Sequence, residues 1–311
     1  MDHALTIAGL SKRFGDTAAL SSVSLTVPTG EVMGLIGPNG AGKTTLCKIL
    51  ATLMPPDEGT VTMYGCDLQR DRHDIRRLIG YMPDQFGLFE NLTVAEYLDF
   101  FAAAYRLPVN RREQVIGDIS ELTGLGAKLN VSTRGLSRGV QQRLCLARAL
   151  IHDPRLLILD EPAANLDPHA RVELREIIRT LAGMGKTVLI SSHILTELAD
   201  ICGSVAIIEQ GKLVAAGRVD ELLARLQPHC RIRIVPAADP ERCGAALAAI
   251  PHVTDVRADG GTLRALWTGP ATEVNTVVGT LVNAGFAVAE FAIEESDLED
   301  AFMALTAGNV Q

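Results

Sequence analysis

Short apolar runs separated by longer amphipathic segments are the dominant pattern of the first two thirds of the chain. Residues 5–7 and 23–27 alternate between apolar and polar positions, as half-buried strands do. Three other runs, 32–36, 156–159 and 188–190, are almost wholly apolar. Because such runs between helical segments are typical of parallel strands covered on both faces, the pattern predicts an α/β domain.

Two long segments of the same region are predicted to be helical. Residues 93–132 follow a helical pattern with breaks at Leu107-Pro108 and Gly124, which indicates a helical insert. Residues 167–184 begin with an Asp-Pro pair and end before Gly185, which are good start and stop signals for a helix.

The pattern changes after Pro228. The remaining residues are predicted to follow the order βαββαβ, which is typical of a small ferredoxin-like α/β unit. The predicted elements are strands at 231–235, 253–259, 262–268 and 286–293, helices at 239–249 and 271–284, and a last helix near 296–305. We therefore expect two domains, 1–228 and 229–311.

The composition supports folded domains and excludes several classes. Of the 311 residues, 47% are hydrophobic, which argues against disorder, collagen and small disulfide scaffolds. The longest stretch without charged residues, 274–289, has about 16 residues, fewer than the ~20 that a membrane-spanning helix needs. Because Met1-Asp2-His3 does not begin like a signal peptide, we expect the chain to stay in the cytosol.

The cysteines and the charges exclude further classes of protein. No Cys-x-x-Cys pair is present, so we expect reduced thiols, mostly in the core, at Cys47, Cys66, Cys145, Cys202, Cys230 and Cys243. The net charge is −8, and residues 229–311 carry five arginines, no lysine and eleven acidic residues. Proteins that grip nucleic acid carry a basic stripe, so no nucleic-acid partner is expected. The acidic tail is either a solvated surface or a docking face for a basic partner.

One octapeptide carries a strong chemical signal. Residues 37–44 fit the phosphate-binding pattern G-x-x-x-x-G-K-[ST] between an apolar strand and a helical segment. The glycines let successive N–H groups face a phosphate, and the helix N-terminus adds partial positive charge. Lys43 is predicted to bridge the β- and γ-phosphates, and the Thr44 hydroxyl to ligate Mg²⁺. The predicted nucleotide-binding residues here are Gly37, Pro38, Asn39, Gly40, Ala41, Gly42, Lys43, Thr44 and Thr45.

An acid pair, Asp160-Glu161, follows the apolar run 156–159. Alone, such a pair is also compatible with an ordinary strand exit. After a phosphate-binding loop, however, an acid at the carboxyl end of a buried parallel strand lies where ligands bind. Asp160 is predicted to hold Mg²⁺ through water, and Glu161 to be the base that polarises the attacking water.

The segment Leu136-Ser137-Arg138-Gly139 lies between these two motifs. With them, it makes residues 1–220 resemble the ATP-binding-cassette (ABC) family, whose signature reads L-S-G-G-Q. The resemblance implies a P-loop ABC ATPase fold, a mixed sheet with a helical subdomain at about 88–155. It also implies that Ser137 and Gly139 contact the γ-phosphate of ATP bound to the other subunit. Arg138 replaces a signature glycine and either adds positive charge near the phosphate or points to solvent.

Further residues gain roles from the resemblance. Gln85 would link Mg²⁺ and water to a membrane partner, and His193 would bond the γ-phosphate and position Glu161. Phe14 would stack on adenine, the alternative being a core phenylalanine. Asp167 would help to join the two sites across a dimer. The implied catalytic residues are Glu161, His193, Gln85 and Lys43, and the implied metal-binding residues are Thr44, Gln85 and Asp160.

The family resemblance implies an ATPase subunit that uses ATP and Mg²⁺ and forms a head-to-tail homodimer. It would be peripheral on the inner face of the cell membrane and would drive transport through a separate integral membrane subunit. The single cassette, the motif at 80–85 and the run 298–302 are similar to those of daunorubicin-type multidrug exporters. By the same resemblance, the tail would stabilise the dimer.

Seven of the 13 aromatic residues lie between positions 81 and 105. They either pack the helical insert or, at 86–89, form a groove with Gln85 for a helix of the membrane subunit. The alternative function is a soluble, non-transport ABC ATPase, but the basic surface, long coiled-coil inserts or second cassette expected of that class are not visible. A binding module without turnover would lack Glu161 or His193, and both are present.

Overall fold

The computed structural model describes residues 3–85, 87–194, 198, 201–226 and 230–294. The chain divides into two compact units between Val219 and Asp220, N-terminal to the predicted boundary at 228/229. Each unit has an apolar core of its own.

The described strands are, in chain order, β1 (His3–Phe14), β2 (Thr17–Pro28), β3 (Val32–Ile36), β4 (Glu58–Met63), β5 (Cys66–Asp67), β6 (Ile79–Met82), β7 (Leu156–Leu159), β8 (Thr187–Ser192), β9 (Ser204–Glu209), β10 (Lys212–Arg218), β11 (Cys230–Pro236), β12 (Val253–Asp259), β13 (Thr262–Trp267) and β14 (Val288–Glu294). The described α-helices are α1 (Lys43–Leu50), α2 (Arg72–Leu78), α3 (Val94–Ala104), α4 (Val109–Leu122), α5 (Arg138–Leu150), α6 (Pro168–Gly183), α7 (Val219–Leu226), α8 (Pro240–Ala248) and α9 (Thr276–Asn283).

Two sheets form the first unit. An antiparallel sheet has the strand order β2-β1-β4-β5, and a mixed sheet has the order β10-β9-β3-β8-β7-β6. In the mixed sheet, β9, β3, β8, β7 and β6 run parallel to one another, and β10 is antiparallel to β9. Every residue of β3, β7 and β8 is buried, so the predicted buried parallel strands are confirmed.

The antiparallel sheet packs on the mixed sheet through one apolar face. In β2, Val23, Leu25 and Val27 are buried, whereas Ser24 and Thr26 are exposed, which confirms the predicted alternation. The buried face joins one apolar cluster with α1, β3 and β7. Burial of α1 in this cluster fixes its N-terminus at the carboxyl end of β3, where the mixed sheet presents its loops.

The predicted helical insert is present as α3, α4 and α5. Thr93 begins α3 with a capping box: its Oγ1 accepts from Glu96 N at 3.2 Å, and Glu96 Oε2 accepts from Thr93 N at 2.7 Å. The predicted breaks are also found, because Leu107-Pro108 separates α3 from α4 and Gly124 has φ +66° just after α4. The three helices share an apolar cluster of their own.

The helix predicted at 167–184 is α6. Asp167 is its N-cap and accepts a hydrogen bond from Ala170 N at 3.0 Å. Pro168 occupies the first helical position, and Gly185, just past the end, has φ +80°. The start and stop signals therefore act as the sequence predicts.

The second unit contains a four-stranded sheet of order β12-β13-β11-β14 in which all neighbours are antiparallel. Its core includes Ile232 and Ile234 from β11, Trp267 from β13 and Leu247 from α8. The predicted elements are found up to β14, with a short 3₁₀ turn, Ala271–Glu273, preceding α9. The helix predicted near 296–305 lies outside the described residues.

Cys47, Cys66, Cys145, Cys202 and Cys243 are free thiols, and all of these except Cys66 are buried. Burial raises the pKa of Cys145 to about 11 and that of Cys202 to about 12. These thiols are therefore protonated at neutral pH and act as small apolar core residues, as predicted. Across the described ranges, no helix is long and apolar enough to cross a bilayer.

Candidate functional site

The segment 37–44 forms a tight loop between β3 and α1 that requires glycine at two positions. A Cβ on Gly37 would lie 2.1 Å from the carbonyl oxygen of Ile208, and one on Gly42 would lie 2.5 Å from that of Ala19. Gly42 also has φ +107° as the N-cap of α1. Pro38, Asn39 and Gly40 form the exposed rim of the loop, Ala41 is buried, and Thr45 lies half-buried in α1.

Lys43 lies at the centre of this loop with only 5% of its surface exposed. Its Nζ donates hydrogen bonds to the carbonyl oxygens of Gly37 at 2.7 Å and Pro38 at 3.2 Å. The same Nζ is 3.2 Å from Oε1 of Glu161. The ammonium group therefore connects the loop to the acid at the end of β7.

Asp160 is fully buried at the carboxyl end of β7. Its Oδ1 accepts hydrogen bonds from Thr44 Oγ1 at 3.2 Å and from Ser191 Oγ at 2.8 Å. Burial raises the pKa of Asp160; the two hydroxyl bonds oppose this rise, and the carboxylates of Asp84 and Glu161 add to it. The Oδ2 atom is buried and has no hydrogen-bond partner within the described residues.

The Thr44 hydroxyl and the free oxygen of Asp160 fit a hard divalent cation. Mg²⁺ prefers oxygen ligands and is usually bound by one or two carboxylates together with phosphates and water. A buried carboxylate without a partner for one oxygen is costly unless a cation or a donor compensates it. The donor set at the start of α1 and the end of β7 therefore matches Mg²⁺.

Glu161 and His193 end two neighbouring parallel strands. Glu161 has a left-handed backbone, with φ +49°, and its N–H donates to Ser191 Oγ at 2.8 Å. Its Oε2 lies 2.9 Å from Nδ1 of His193, which is 41% exposed. The carboxylate is thus held between the Lys43 ammonium and the His193 imidazole, in a position to accept a proton from a water molecule.

Gln85 follows β6, the neighbour of β7, and is exposed. The preceding Asp84 is half-buried and lies within electrostatic reach of Asp160. Tyr81, on β6 itself, has a buried hydroxyl without a partner in the described structure. Sequence reasoning overlooked Asp84, Tyr81 and the linking Ser191, although all three lie at or near the carboxyl ends of the central strands.

Phe14 lies at the end of β1 and is 49% exposed. Its ring centroid is 5.9 Å from Nζ of Lys12. The alternative of a core phenylalanine is therefore wrong, because about half of this residue is exposed to solvent. An exposed ring of this kind is available for stacking on a base.

Ser137 and Gly139 lie at the N-terminus of α5. Ser137 is the N-cap residue of α5, but its side chain makes no capping hydrogen bond. Arg138 is exposed, which agrees with the solvent-facing alternative for this side chain. A Cβ on Gly139 would lie 3.1 Å from Cβ of Ala170, so the start of α5 packs close to the start of α6.

The aromatic residues of the helical insert form a cluster that is partly exposed. Phe89 contacts Phe100 with ring centroids 5.4 Å apart, and Phe100 contacts Phe101 at 5.1 Å. Tyr97 is fully buried below them, whereas Phe89 and Phe100 are each 50% exposed. Both alternatives for the aromatics therefore hold in part: some pack the insert, and two remain available. Phe86 lies outside the described residues.

Comparison with known proteins places the chain in a family. The ABC transporter profile matches residues 20–164. Daunorubicin resistance ATP-binding protein DrrA3 of Streptomyces coeruleorubidus is 35% identical over 98% of this chain and 96% of its own length. Nod factor export ATP-binding protein I of Rhizobium meliloti (strain 1021) is 34% identical over 97% of this chain and 88% of its own length. The chain belongs to the ABC transporter family.

Within that family it is an ATP-binding subunit and an ATPase, of the type that these two relatives represent. A solved dimeric ATP-binding cassette, in a post-hydrolysis state with ADP and Pi, has the same fold with a TM-score of 0.63 at 25% identity. It matches 69% of this chain and 98% of that chain. The ABC ATPase fold with its mixed sheet, expected from the sequence, is confirmed.

Proposed function

We propose that the chain powers an exporter as a head-to-tail homodimer, bound to a separate membrane subunit at the inner face of the cell membrane. One observation carries the proposal: the Glu161 carboxylate lies between Lys43 Nζ at 3.2 Å and His193 Nδ1 at 2.9 Å. This arrangement suits a base beside a phosphate-binding loop, and it argues for turnover rather than nucleotide storage.

Each role in ATP hydrolysis is assigned to particular residues of this chain. Lys43 holds the β- and γ-phosphates, and the Thr44 hydroxyl and Asp160 hold Mg²⁺. Glu161 accepts a proton from the attacking water, whose oxygen bonds to the γ-phosphorus as the bond to ADP breaks. His193 keeps Glu161 oriented and bonds the γ-phosphate. When bound, Mg²⁺ neutralises charge on the phosphate oxygens.

The dimer supplies the remaining contacts. Ser137 and Gly139 of one copy bond the γ-phosphate held by the other copy, and Asp167 lies at the seam between the two sites. The proposal is supported by Ser137, whose side chain is not used as a helix cap although it is exposed at the N-terminus of α5. A phosphate facing this terminus gains from its free N–H groups.

The exposed rings of Phe89 and Phe100 support the proposal of a membrane partner. Exposed aromatic rings beside a loop are enriched where proteins bind a helix, and both rings are half-exposed. We assign Gln85 and the segment 86–89, with the exposed ring of Phe89, to the binding of a short helix of the membrane subunit. Gln85 itself stays a predicted link to Mg²⁺ and water.

The second unit is assigned a ferredoxin-like fold and a dimer-stabilising role. The fold assignment is supported by the strand order β12-β13-β11-β14 with antiparallel neighbours, together with the βαββαβ element order. The role rests on the resemblance of the tail to those of drug exporters. The domain limits proposed from the sequence are 1–228 and 229–311, with the helical subdomain at about 88–155, whereas the two compact units of the structure divide between Val219 and Asp220.

The decisive experiment replaces Glu161 with glutamine. Because the amide cannot accept the proton of the attacking water, we expect steady ATP hydrolysis to fall by about 10²–10⁴-fold. ATP should still bind, and the ATP-bound protein should elute as a dimer in size-exclusion chromatography. Glu113→Gln, at an exposed position of α4, is the matched control and should keep its hydrolysis rate.

Two further measurements separate the parts of the proposal. Lys43→Ala should weaken nucleotide binding itself, measured by fluorescence titration, because it removes the ammonium that faces the phosphates. Hydrolysis per chain should fall at protein concentrations below the dimer dissociation constant. Undiminished turnover in Glu161→Gln would refute the base assignment, and full turnover by isolated monomers would refute the shared site.

A further inference from the structure

Tyr81 carries a buried polar group that the fold leaves without a partner. Its hydroxyl is inaccessible to solvent and makes no hydrogen bond within the described residues. A buried hydroxyl in this state costs about 1–3 kcal/mol, so its presence calls for a compensating role. The Tyr64 hydroxyl shows the usual arrangement, with Thr187 Oγ1 and the Arg155 carbonyl oxygen each at 3.0 Å.

Strand register places Tyr81 beside the metal-binding acid. Tyr81 on β6 is opposite Ile158 on β7, and the two share the apolar cluster around α1. Because side chains two residues apart on a strand share a face, Asp160 projects on the same side as Ile158. Asp160 also raises the pKa of Tyr81, after burial, which is the larger cause.

Asp84 approaches the same point from the end of β6. Asp160 N donates to the carbonyl oxygen of Met82 at 2.9 Å, so the end of β6 lies directly beside Asp160. Asp84 follows two residues later and is half-buried, whereas Gln85 is exposed. The Asp84 carboxylate lies within electrostatic reach of both Asp160 and Tyr81.

Three oxygen-bearing groups therefore lie at the same edge of the sheet. Asp160 is fully buried with Oδ2 unpartnered, the Tyr81 hydroxyl is unpartnered, and Asp84 adds a second carboxylate. Two carboxylates close together repel each other, and a bound cation relieves that repulsion. This supports a hydrated cation at this edge.

We propose that Asp84 and Tyr81 are positioning residues of the magnesium pocket, in which they hydrogen-bond the water molecules that hydrate the ion beside Asp160. Asp84, and not Gln85, is then the residue by which the end of β6 contacts the metal shell. The proposal rests on the assignment of Asp160 and Thr44 as metal-binding residues. In this proposal a carboxylate, that of Asp84, contacts the metal shell at the position for which the family resemblance suggested the amide of Gln85.

The assignment predicts opposite effects on stability and on metal binding. Tyr81→Phe removes an unpartnered buried hydroxyl, so the nucleotide-free protein should be at least as stable as the wild type in thermal unfolding. The same variant should bind the metal more weakly. Tyr64→Phe is the matched control: it removes a partnered hydroxyl, should lower the unfolding temperature, and should leave metal affinity unchanged.

Metal affinity can be measured directly with Mn²⁺ in place of Mg²⁺. Free Mn²⁺ is followed by electron paramagnetic resonance while Mn²⁺ is titrated into the full chain with ATP. We expect Asp84→Asn to weaken Mn²⁺ binding by about tenfold, as is common for groups that orient metal ligands, and Asp84→Glu to recover most of the loss. Asp74→Asn, at an exposed position of α2, should show the wild-type affinity.

The outcomes distinguish this inference from the proposed function. If Asp160→Asn does not weaken Mn²⁺ binding, the metal site itself is misassigned and the proposed function fails. If Asp160→Asn weakens it but Asp84→Asn does not, only the inference is overturned. If Gln85→Ala weakens Mn²⁺ binding and Asp84→Asn does not, Gln85 rather than Asp84 contacts the metal shell.

Discussion

His193 and Glu161 are held in contact at the ends of neighbouring strands, with Nδ1 of the imidazole 2.9 Å from Oε2 of the carboxylate. The backbone of Glu161 is fixed separately, by the bond from its N–H to Ser191 Oγ. His193 therefore orients the Glu161 carboxylate, whereas the position of the Glu161 backbone does not depend on the histidine.

This relationship predicts the effect of His193→Ala. Without the imidazole, Glu161 keeps its charge but loses one of the two groups that orient it, so we expect hydrolysis to fall by about 10²-fold. ATP affinity should change little, because Lys43 and the loop remain. Steady-state kinetics and nucleotide titration measure the two effects, with His73→Ala on α2 as the control. A loss of ATP binding equal to the loss of turnover would contradict the assigned role.

The phosphate loop predicts a steric effect at Gly37. An alanine there would place Cβ 2.1 Å from a backbone oxygen of β9, so we expect destabilisation of about 1–3 kcal/mol in urea unfolding. Gly117→Ala is a control of opposite sign: its Cβ meets no atom within 4 Å, and alanine in a helix gains about 1 kcal/mol over glycine. Equal tolerance of both changes would show that the loop can move away from β9.

The exposed rings of Phe89 and Phe100 predict an effect on binding of the membrane subunit. Replacing Phe89 and Phe100 together with serine should release the membrane subunit, because about half of each ring is available for contact. Co-purification from membranes measures this loss, and nucleotide titration should give the wild-type affinity. The matched control is Val172→Ser with Met184→Ser, two exposed apolar positions at α6. If the partner is retained in the aromatic variant, the docking assignment is wrong.

His152 predicts a loss of stability in mild acid. Burial lowers the pKa of His152 below its ordinary value of 6.5, while Nε2 lies 2.8 Å from the Ile79 carbonyl oxygen. The unfolded chain therefore takes up a proton at this residue before the folded chain does. The contribution of His152 to the free energy of unfolding is therefore complete above pH 6.5, and it decreases as the pH falls below that value.

Urea unfolding of the wild type and His152→Gln between pH 7.5 and 5 measures this effect. The glutamine cannot titrate, so the free energy of unfolding should decrease less toward pH 5 in the variant. His252→Gln, in the second unit, is the control and should retain the wild-type slope. Identical slopes in the wild type and His152→Gln would show that this histidine does not contribute.

Much of the site could be predicted because its residues follow recognisable local patterns. The phosphate loop and the Asp160-Glu161 pair each lie within a few positions of a buried strand, and parallel strands bring those positions to one edge. His193 was associated with them through the resemblance to the ABC family.

Other contributions depend on register between distant strands. Tyr81 and Asp84 adjoin Asp160 only because β6 pairs with β7, two strands separated by a long helical insert. No local pattern distinguishes Asp84 from Gln85, since the choice depends on where the chain turns after β6. Likewise, the exposure of Phe14 depends on where β1 ends.

Ser191 bonds Asp160 through its hydroxyl proton and Glu161 through its lone pair. One small side chain thus links the acid assigned to the metal with the acid assigned as the base. Removing this hydroxyl would therefore disturb both carboxylates at once.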